Sequence, residues 1–381
     1  MSGAPSLDVA HLAEAIRWWM WVAVALLLVI ARFLPVSLPR RGVAVIACAS
    51  LVIAALGLTA IVRTLGEQPR IERKGTFDAM IAELERSYQP GRPTVLVIGS
   101  SRSTLGLDGA AFERQLAVGL GRDVQVLQFT ATGHYALEQL YTTRKLLTRI
   151  HPQRLTVLVE LGSELDIGLP EVLLNTTRGI EFFDAHTFAV NLRMWRAARS
   201  GNADDPAYSK RQLLRALSHT VMHHLGIGLL FDLEPASRAG IQKGFVPTDK
   251  PYYDNAVPDA RAALLESSTP VNPPSDRGEL VSIARTEIVE DLAGRVPELR
   301  VVFFFPPTAS VDMRATARIA CEGVAHLGPC LRMTDDEIRE RLPAEKWADP
   351  HHLATPGASA FTDWLAASVV ATLLAHSQSA N

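Results

Sequence analysis

An excess of charge of either sign is missing from this chain. Its 381 residues carry 38 Lys and Arg against 40 Asp and Glu, for a net charge of -2, and the sequence pI is near 6.6. A protein that neutralises a run of phosphates needs a basic field; this chain has none, and nucleic acid is set aside as a partner. Cysteine is scarce, at three residues. No CxxC pair and no His/Cys cluster stands at metal-ligand spacing, so neither a metal nor another cofactor is expected. Internal repeats and low-complexity tracts are also lacking.

Charge is absent locally as well. Residues 42–62 (GVAVIACASLVIAALGLTAIV) contain no Asp, Glu, Lys or Arg. About 20 residues rising 1.5 Å each cross the ~30 Å hydrocarbon core of a bilayer. A buried core helix is the alternative, but a run this long with no charged face favours a membrane span. A shorter run at 18–31 (WWMWVAVALLLVIA) has three tryptophans at one end and Arg32 at the other, which suits a span with a snorkelling arginine. A transmembrane helical hairpin is therefore expected, with helices at about 16–36 and 42–63 and a membrane anchor over 1–74. Arg32, Arg40 and Arg41 argue for a cytoplasmic connection, which places the rest of the chain outside. Arg63, Arg70, Arg73 and Lys74 pull the other way. No clear small-residue cleavage site follows either run, against a cleaved signal peptide.

Cys48 lies in the second apolar run and reads as a small apolar residue. Cys321 and Cys330 either remain two thiols or, in an oxidising compartment, close a small loop stabilising the fold by roughly 2–3 kcal/mol. That pair tips the orientation towards an extracytoplasmic domain on the inner (cell) membrane.

From residue 75 onward, strand-like and helix-like segments alternate. Apolar runs at 94–98, 124–128, 155–161 and 299–305 suit strands buried on both faces. Helical spacing occupies 76–88, 107–120, 135–150, 279–292 and 357–375. This rhythm predicts an α/β domain with a central, doubly wound parallel sheet. It lapses between about 163 and 275, where helices are expected only at 188–198 and 209–225 and residues 232–274 show no clear period. An insertion there decorates the ligand side of the sheet.

Two stretches carry chemistry. In VLVIGSSRSTLGLD (95–108), a buried strand exits through Gly99 into Ser100, Ser101 and Arg102. A serine there, at the carboxyl edge of the sheet and near a helix start, is exposed and electrostatically favoured as a nucleophile. A plain turn has the same residues. In DPHHLATPG (349–357), Asp349 and His352 stand three residues apart. The carboxylate can reach Nδ1–H and leave Nε2 to accept a serine proton. A surface loop with two solvated histidines is the alternative.

Together, Gly99-Ser100-Ser101 after the first strand and Asp349-x-x-His352 before the last helix resemble the SGNH (GDSL-like) hydrolase superfamily, over roughly 94 to the end. Gly357, five residues beyond the histidine, stands where that family commonly has a glycine. The resemblance implies a three-layer, flavodoxin-like α/β fold. It implies Ser101 as nucleophile, His352 as general base and Asp349 as the orienting acid. The oxyanion hole would be built from the Ser101 N–H, Gly133 in QFTATGHYALEQ, and Ser163 in ELGSELD. The family often has an asparagine where Glu164 stands, and an ionised carboxylate there would repel an oxyanion; a lost donor typically costs ~10²–10³ in rate. Arg102 and His134 are the candidate substrate contacts, with an ion pair and an ordinary loop histidine as their alternatives. His351 reads as a solvated neighbour. Phe182, Phe183, Trp195, Tyr252 and Tyr253 lie in the insertion, where stacking on sugars competes with core packing.

Membrane-anchored bacterial members of the family acetylate exopolysaccharides or modify cell-wall polymers. The resemblance thus implies an esterase or O-acyltransferase acting on an envelope glycan, beside polysaccharide-synthesis partners. A lipid-directed esterase and a catalytically inactive glycan-binding or assembly protein on the same fold are the competing readings.

Overall fold

The structure is a computed structural model that describes residues 77–131, 133–162, 177–201, 209–224, 246–266 and 275–379. The expected spans at 16–36 and 42–63, Cys48, Ser163, Glu164 and part of the insertion lie outside the described residues. In chain order the elements are α1 (Phe77–Ser87), β1 (Thr94–Gly99), α2 (Ser101–Gly106), α3 (Gly109–Leu120), β2 (Gln125–Thr130), α4 (Ala136–Leu147) and β3 (Arg154–Glu160). Then come α5 (Thr177–Phe182), α6 (Ala185–Gly201), α7 (Lys210–His224), α8 (Ala256–Leu265), α9 (Ser275–Ala293), β4 (Glu298–Phe305) and α10 (Val311–Val324). The chain closes with β5 (Cys330–Arg332), α11 (Asp335–Arg341), β6 (Trp347–Asp349), β7 (His352–Leu353) and α12 (Thr355–Ser379).

The described residues fall into two compact units. The larger holds a five-stranded sheet in the order β2-β1-β3-β4-β5, with every neighbouring pair parallel. All six β1 residues are buried, as a strand covered on both faces requires. Val95 and Val97 join Phe112 and Leu116 of α3 and Phe361 and Leu365 of α12 in one apolar cluster. Side chains alternate along a strand, so Leu96 and Ile98, both fully buried, point to the opposite face. There α4 packs against α9. Each such leucine or phenylalanine contributes ~1.5–3 kcal/mol by leaving water. The expected α/β class with a central parallel sheet is observed.

Among the described residues, one helix is long and apolar enough to cross a membrane, over Thr355–Ala375 at mean hydropathy 1.4. Its Phe361, Leu365, Val369 and Leu373 are buried in the apolar cluster beside the sheet. In all, 39% of that apolar window is buried. Cys321 and Cys330 are disulfide-bonded, tying α10 to β5.

Two expectations change. The helix expected over 107–120 begins only at Gly109, because Leu107 is extended and the Asp108 carboxylate caps a fresh start, accepting from the Ala110 and Ala111 N–H groups at 3.0 Å each. The stretch read as aperiodic contains α8, whose buried stripe is Ala256, Ala260 and Leu264. Two alanines give too little hydropathy contrast to mark a helical face.

In the smaller unit, α5 meets the part of α7 described there. Phe182 and Phe183 are fully buried with ring centroids 4.7 Å apart, and the Phe183 ring lies 6.0 Å from His219. His223 Nδ1 sits 3.1 Å from the Ile180 carbonyl. These two phenylalanines are core residues, not sugar contacts.

Candidate active site

The strand order reverses direction at β1: β2 follows on one side and β3 on the other. In open α/β sheets the crevice beyond the carboxyl ends at such a switch point is where ligands bind. Ser100 and Ser101 follow β1 directly at that edge. Ser100 caps α2, its hydroxyl accepting from the Arg102 N–H at 3.3 Å, and Ser101 is the first helical residue.

Asp349 and His352 arrive from the opposite end of the chain. They face each other across the small antiparallel ribbon β6–β7. Trp347 and Leu353 seat that ribbon in the core. Its turn is held by the Pro350 carbonyl, which accepts from Ala309 N–H at 2.9 Å, Ser310 N–H at 3.2 Å and Thr308 Oγ1 at 3.0 Å.

The result is a continuous hydrogen-bond chain. Ser101 Oγ lies 2.9 Å from His352 Nε2, and His352 Nδ1 lies 2.8 Å from Asp349 Oδ2. Asp349 Oδ1 also accepts the backbone N–H groups of His351 at 2.6 Å and His352 at 2.9 Å. Burial pushes the Asp349 carboxyl up, but the hydrogen bonds from the His352 side chain and those two N–H groups outweigh it, leaving the pKa below its ordinary value. An ionised Asp349 accepts Nδ1–H and so leaves Nε2 free to accept the Ser101 proton. His351 is exposed at the turn, its Nδ1 lying 3.1 Å from Met313 Sδ. Desolvation lowers its pKa; the Asp349 carboxylate opposes that shift, and the His352 and Arg102 side chains add to it.

The two candidate substrate contacts are corrected. Arg102 is 7% exposed; its Nη2 donates to Leu161 O at 2.9 Å and Glu160 Oε1 at 3.3 Å, and its guanidinium lies 4.8 Å from the Phe305 ring centroid. It is committed to the sheet edge by a buried ion pair. His134 is 2% exposed, with Nδ1 3.1 Å from Gly99 O and Nε2 3.0 Å from Thr142 Oγ1. It ties the end of β1 to α4 instead of facing substrate. Gly133 precedes it with φ +61°, a left-handed conformation that favours glycine, in the loop after β2. That loop is joined to β1 where the Ala131 N–H donates to Gly99 O at 3.1 Å.

Two residues of the site were not singled out from sequence. Glu160, at the end of β3, reaches the turn that carries Ser101: its carboxylate accepts from the Ser100 N–H at 2.8 Å and from the hydroxyls of Ser100 and Ser103 at 2.5 Å each. A lone acid ending an apolar strand, LTVLVE, was the available signal. Tyr252 is one of several aromatics in the insertion. Its ring centroid stands 6.0 Å from the His352 ring, edge-on, with the residue 51% exposed. Its segment is fastened at three points of the site: the Val246 N–H to Thr104 O at 2.9 Å, the Thr355 N–H to Thr248 O at 2.8 Å, and the Tyr252 N–H to Ala348 O at 2.9 Å. Tyr253 is also exposed.

No family model and no curated protein matches the chain. Among solved structures, it is similar to the lipase Lip_vut3 from a goat rumen metagenome, at 10% identity and a TM-score of 0.25, over 72% of this chain and 97% of that chain. A likeness so slight bears on neither fold nor activity.

Proposed function

We propose that this chain is a serine hydrolase or O-acyltransferase of the SGNH type, acting through an acyl-Ser101 intermediate on an ester of an envelope glycan. The observation that carries the reading is the hydrogen-bond chain from Ser101 through His352 to Asp349 at the switch point of the sheet. The strand order 2-1-3-4-5, a flavodoxin-like order, supports it.

In the first step Ser101 Oγ attacks the acyl carbonyl and its proton passes to His352 Nε2, while Asp349 stabilises the imidazolium. The proposed oxyanion hole is assigned to Ser101, Gly133 and Ser163. His352 then returns the proton to the leaving alcohol. In the second step water or a sugar hydroxyl attacks the acyl-serine and gives its proton to Nε2; His352 returns that proton to Ser101 Oγ as the acyl–Oγ bond breaks, and the acyl group leaves as acid or new ester. Incubating the full chain with p-nitrophenyl acetate and quenching in acid is expected to leave one acetyl group on the peptide containing Ser101, read by mass spectrometry. A native, folded protein that never carries it removes the reading.

The glycan is favoured by the exposed tyrosine beside the base. A pyranose ring presents C–H groups that lie against an aromatic face, and a tyrosine keeps a polar handle in water. Tyr252→Ala is expected to lower kcat/KM for an O-acetylated oligosaccharide about tenfold more than for p-nitrophenyl acetate, a difference of ~1.4 kcal/mol. Tyr252→Trp is expected to restore the difference. Equal losses on both esters would take Tyr252 out of sugar contact.

The anchor at 1–74 and an extracytoplasmic location at the cell membrane complete the proposal. The uncharged run at 42–62 supports the anchor. The Cys321–Cys330 disulfide supports an oxidising compartment, since cytosolic thiols stay reduced.

A further inference from the structure

Glu160 stands outside the proton path, yet each of its oxygens takes two donors from the turn that carries Ser101. Oε2 accepts from the Ser100 N–H at 2.8 Å and Ser103 Oγ at 2.5 Å. Oε1 accepts from Ser100 Oγ at 2.5 Å and Arg102 Nη2 at 3.3 Å. The residues on both sides of Ser101 are thus tied to one carboxylate, itself 1% exposed. Gly99 fits the same arrangement. A Cβ there would stand 2.5 Å from Glu160 Oε2 and 2.5 Å from Ser103 Oγ, and its φ is not in the left-handed region. Gly99 is a glycine because the carboxylate occupies the place of its side chain.

We infer that Glu160 is a positioning residue for the nucleophile: it locks residues 99–103 so that Ser101 Oγ points at His352 Nε2. The inference rests on the reading of Ser101 as nucleophile. A buried carboxylate is costly without partners, and four donors, one of them a guanidinium, offset that cost. A neutral amide does not fit in either orientation. Each oxygen faces one donor that cannot reverse, the Ser100 backbone N–H on Oε2 and the Arg102 guanidinium on Oε1. Glu160→Gln therefore sets an NH₂ against one of them, and the turn must move.

The test is fluorophosphonate labelling of the purified full chain, followed to saturation so that the maximal rate and the half-saturating concentration separate. For Glu160→Gln the maximal rate is expected to fall about 10²-fold, the usual effect of displacing a reacting group by ~1 Å, with half-saturation unchanged. A merely structural role would lower the labelled fraction or the melting temperature and leave the rate per competent molecule alone. A native maximal rate overturns the inference, as does a slower rate matched by weaker half-saturation, which would make Glu160 a binding residue. Should Glu160→Gln not fold, Ser103→Ala removes one donor and keeps the other three; a loss of about tenfold is expected, and a native rate overturns the inference. A native chain that does not label ends both readings, whereas a labelled native chain with undiminished variants ends this one alone.

Discussion

Replacing Ser101 by alanine is expected to remove fluorophosphonate labelling altogether, His352→Ala to slow the labelling of Ser101 by about 10⁶-fold, and Asp349→Asn by about 10⁴-fold. The three differ because the proposed mechanism gives them different work. In it Ser101 forms the bond. His352 Nε2, 2.9 Å from Ser101 Oγ, is the group that takes its proton. Asp349 holds the imidazole through Nδ1 at 2.8 Å; an amide in its place keeps the hydrogen bond in the other tautomer, with Nε2 carrying the proton and unable to accept one. Native-rate labelling in Asp349→Asn would end the triad reading even if Ser101 reacts. The same carboxylate gives a pH signature. Its folded pKa lies below its ordinary value, so the stability it contributes is complete above the unfolded value, about 3.9, and is lost as pH falls through the lower folded value. Thermal melts of native and Asp349→Asn protein across that window are expected to show the native advantage shrinking with falling pH.

Much of the sheet is legible in the sequence because β1 and β2 are buried along their length and β3 and β4 end in apolar stretches buried on both faces. Strand β5 has three residues and the β6–β7 ribbon five, too few to display a period. Helix α8 is hidden for the related reason that alanines bury its face. The site divides along the same line. Ser101, Asp349 and His352 stand out through local spacing, and the fold brings them together from opposite ends of the chain. Arg102 and His134 illustrate what local spacing does not hold. Whether a polar side chain beside a nucleophile faces substrate or the sheet depends on its partners, here Glu160 and Leu161 for Arg102 and Gly99 and Thr142 for His134, which are distant in sequence. Glu160 is the converse case, an ordinary acid in sequence whose weight comes from residues 57 to 60 positions away.

Gly357→Ala is expected to lower both the melting temperature and the labelling rate, although it touches no reacting group. Gly357 lies in the first turn of α12, its N–H bonded to Ala354 O at 2.8 Å. A Cβ there would run into the Lys346 carbonyl and stand 3.0 Å from Leu353 Cδ2. The Lys346 carbonyl is backbone and cannot swing aside; it already accepts the Ala354 N–H at 2.9 Å. Lys346 leads directly into β6 and Asp349, and Leu353 adjoins His352. Any movement that admits the methyl group therefore shifts the acid, the base or both. Overpacking of this kind costs ~1–3 kcal/mol, several degrees in melting temperature for a domain of this size. A shift of ~1 Å in the base costs about 10²-fold in rate. The measurement pairs a thermal melt with the saturating labelling rate at a temperature where the variant is folded. A lowered melting temperature with a native rate would show that the strain relaxes away from Asp349 and His352, and that the glycine serves the fold without serving the site.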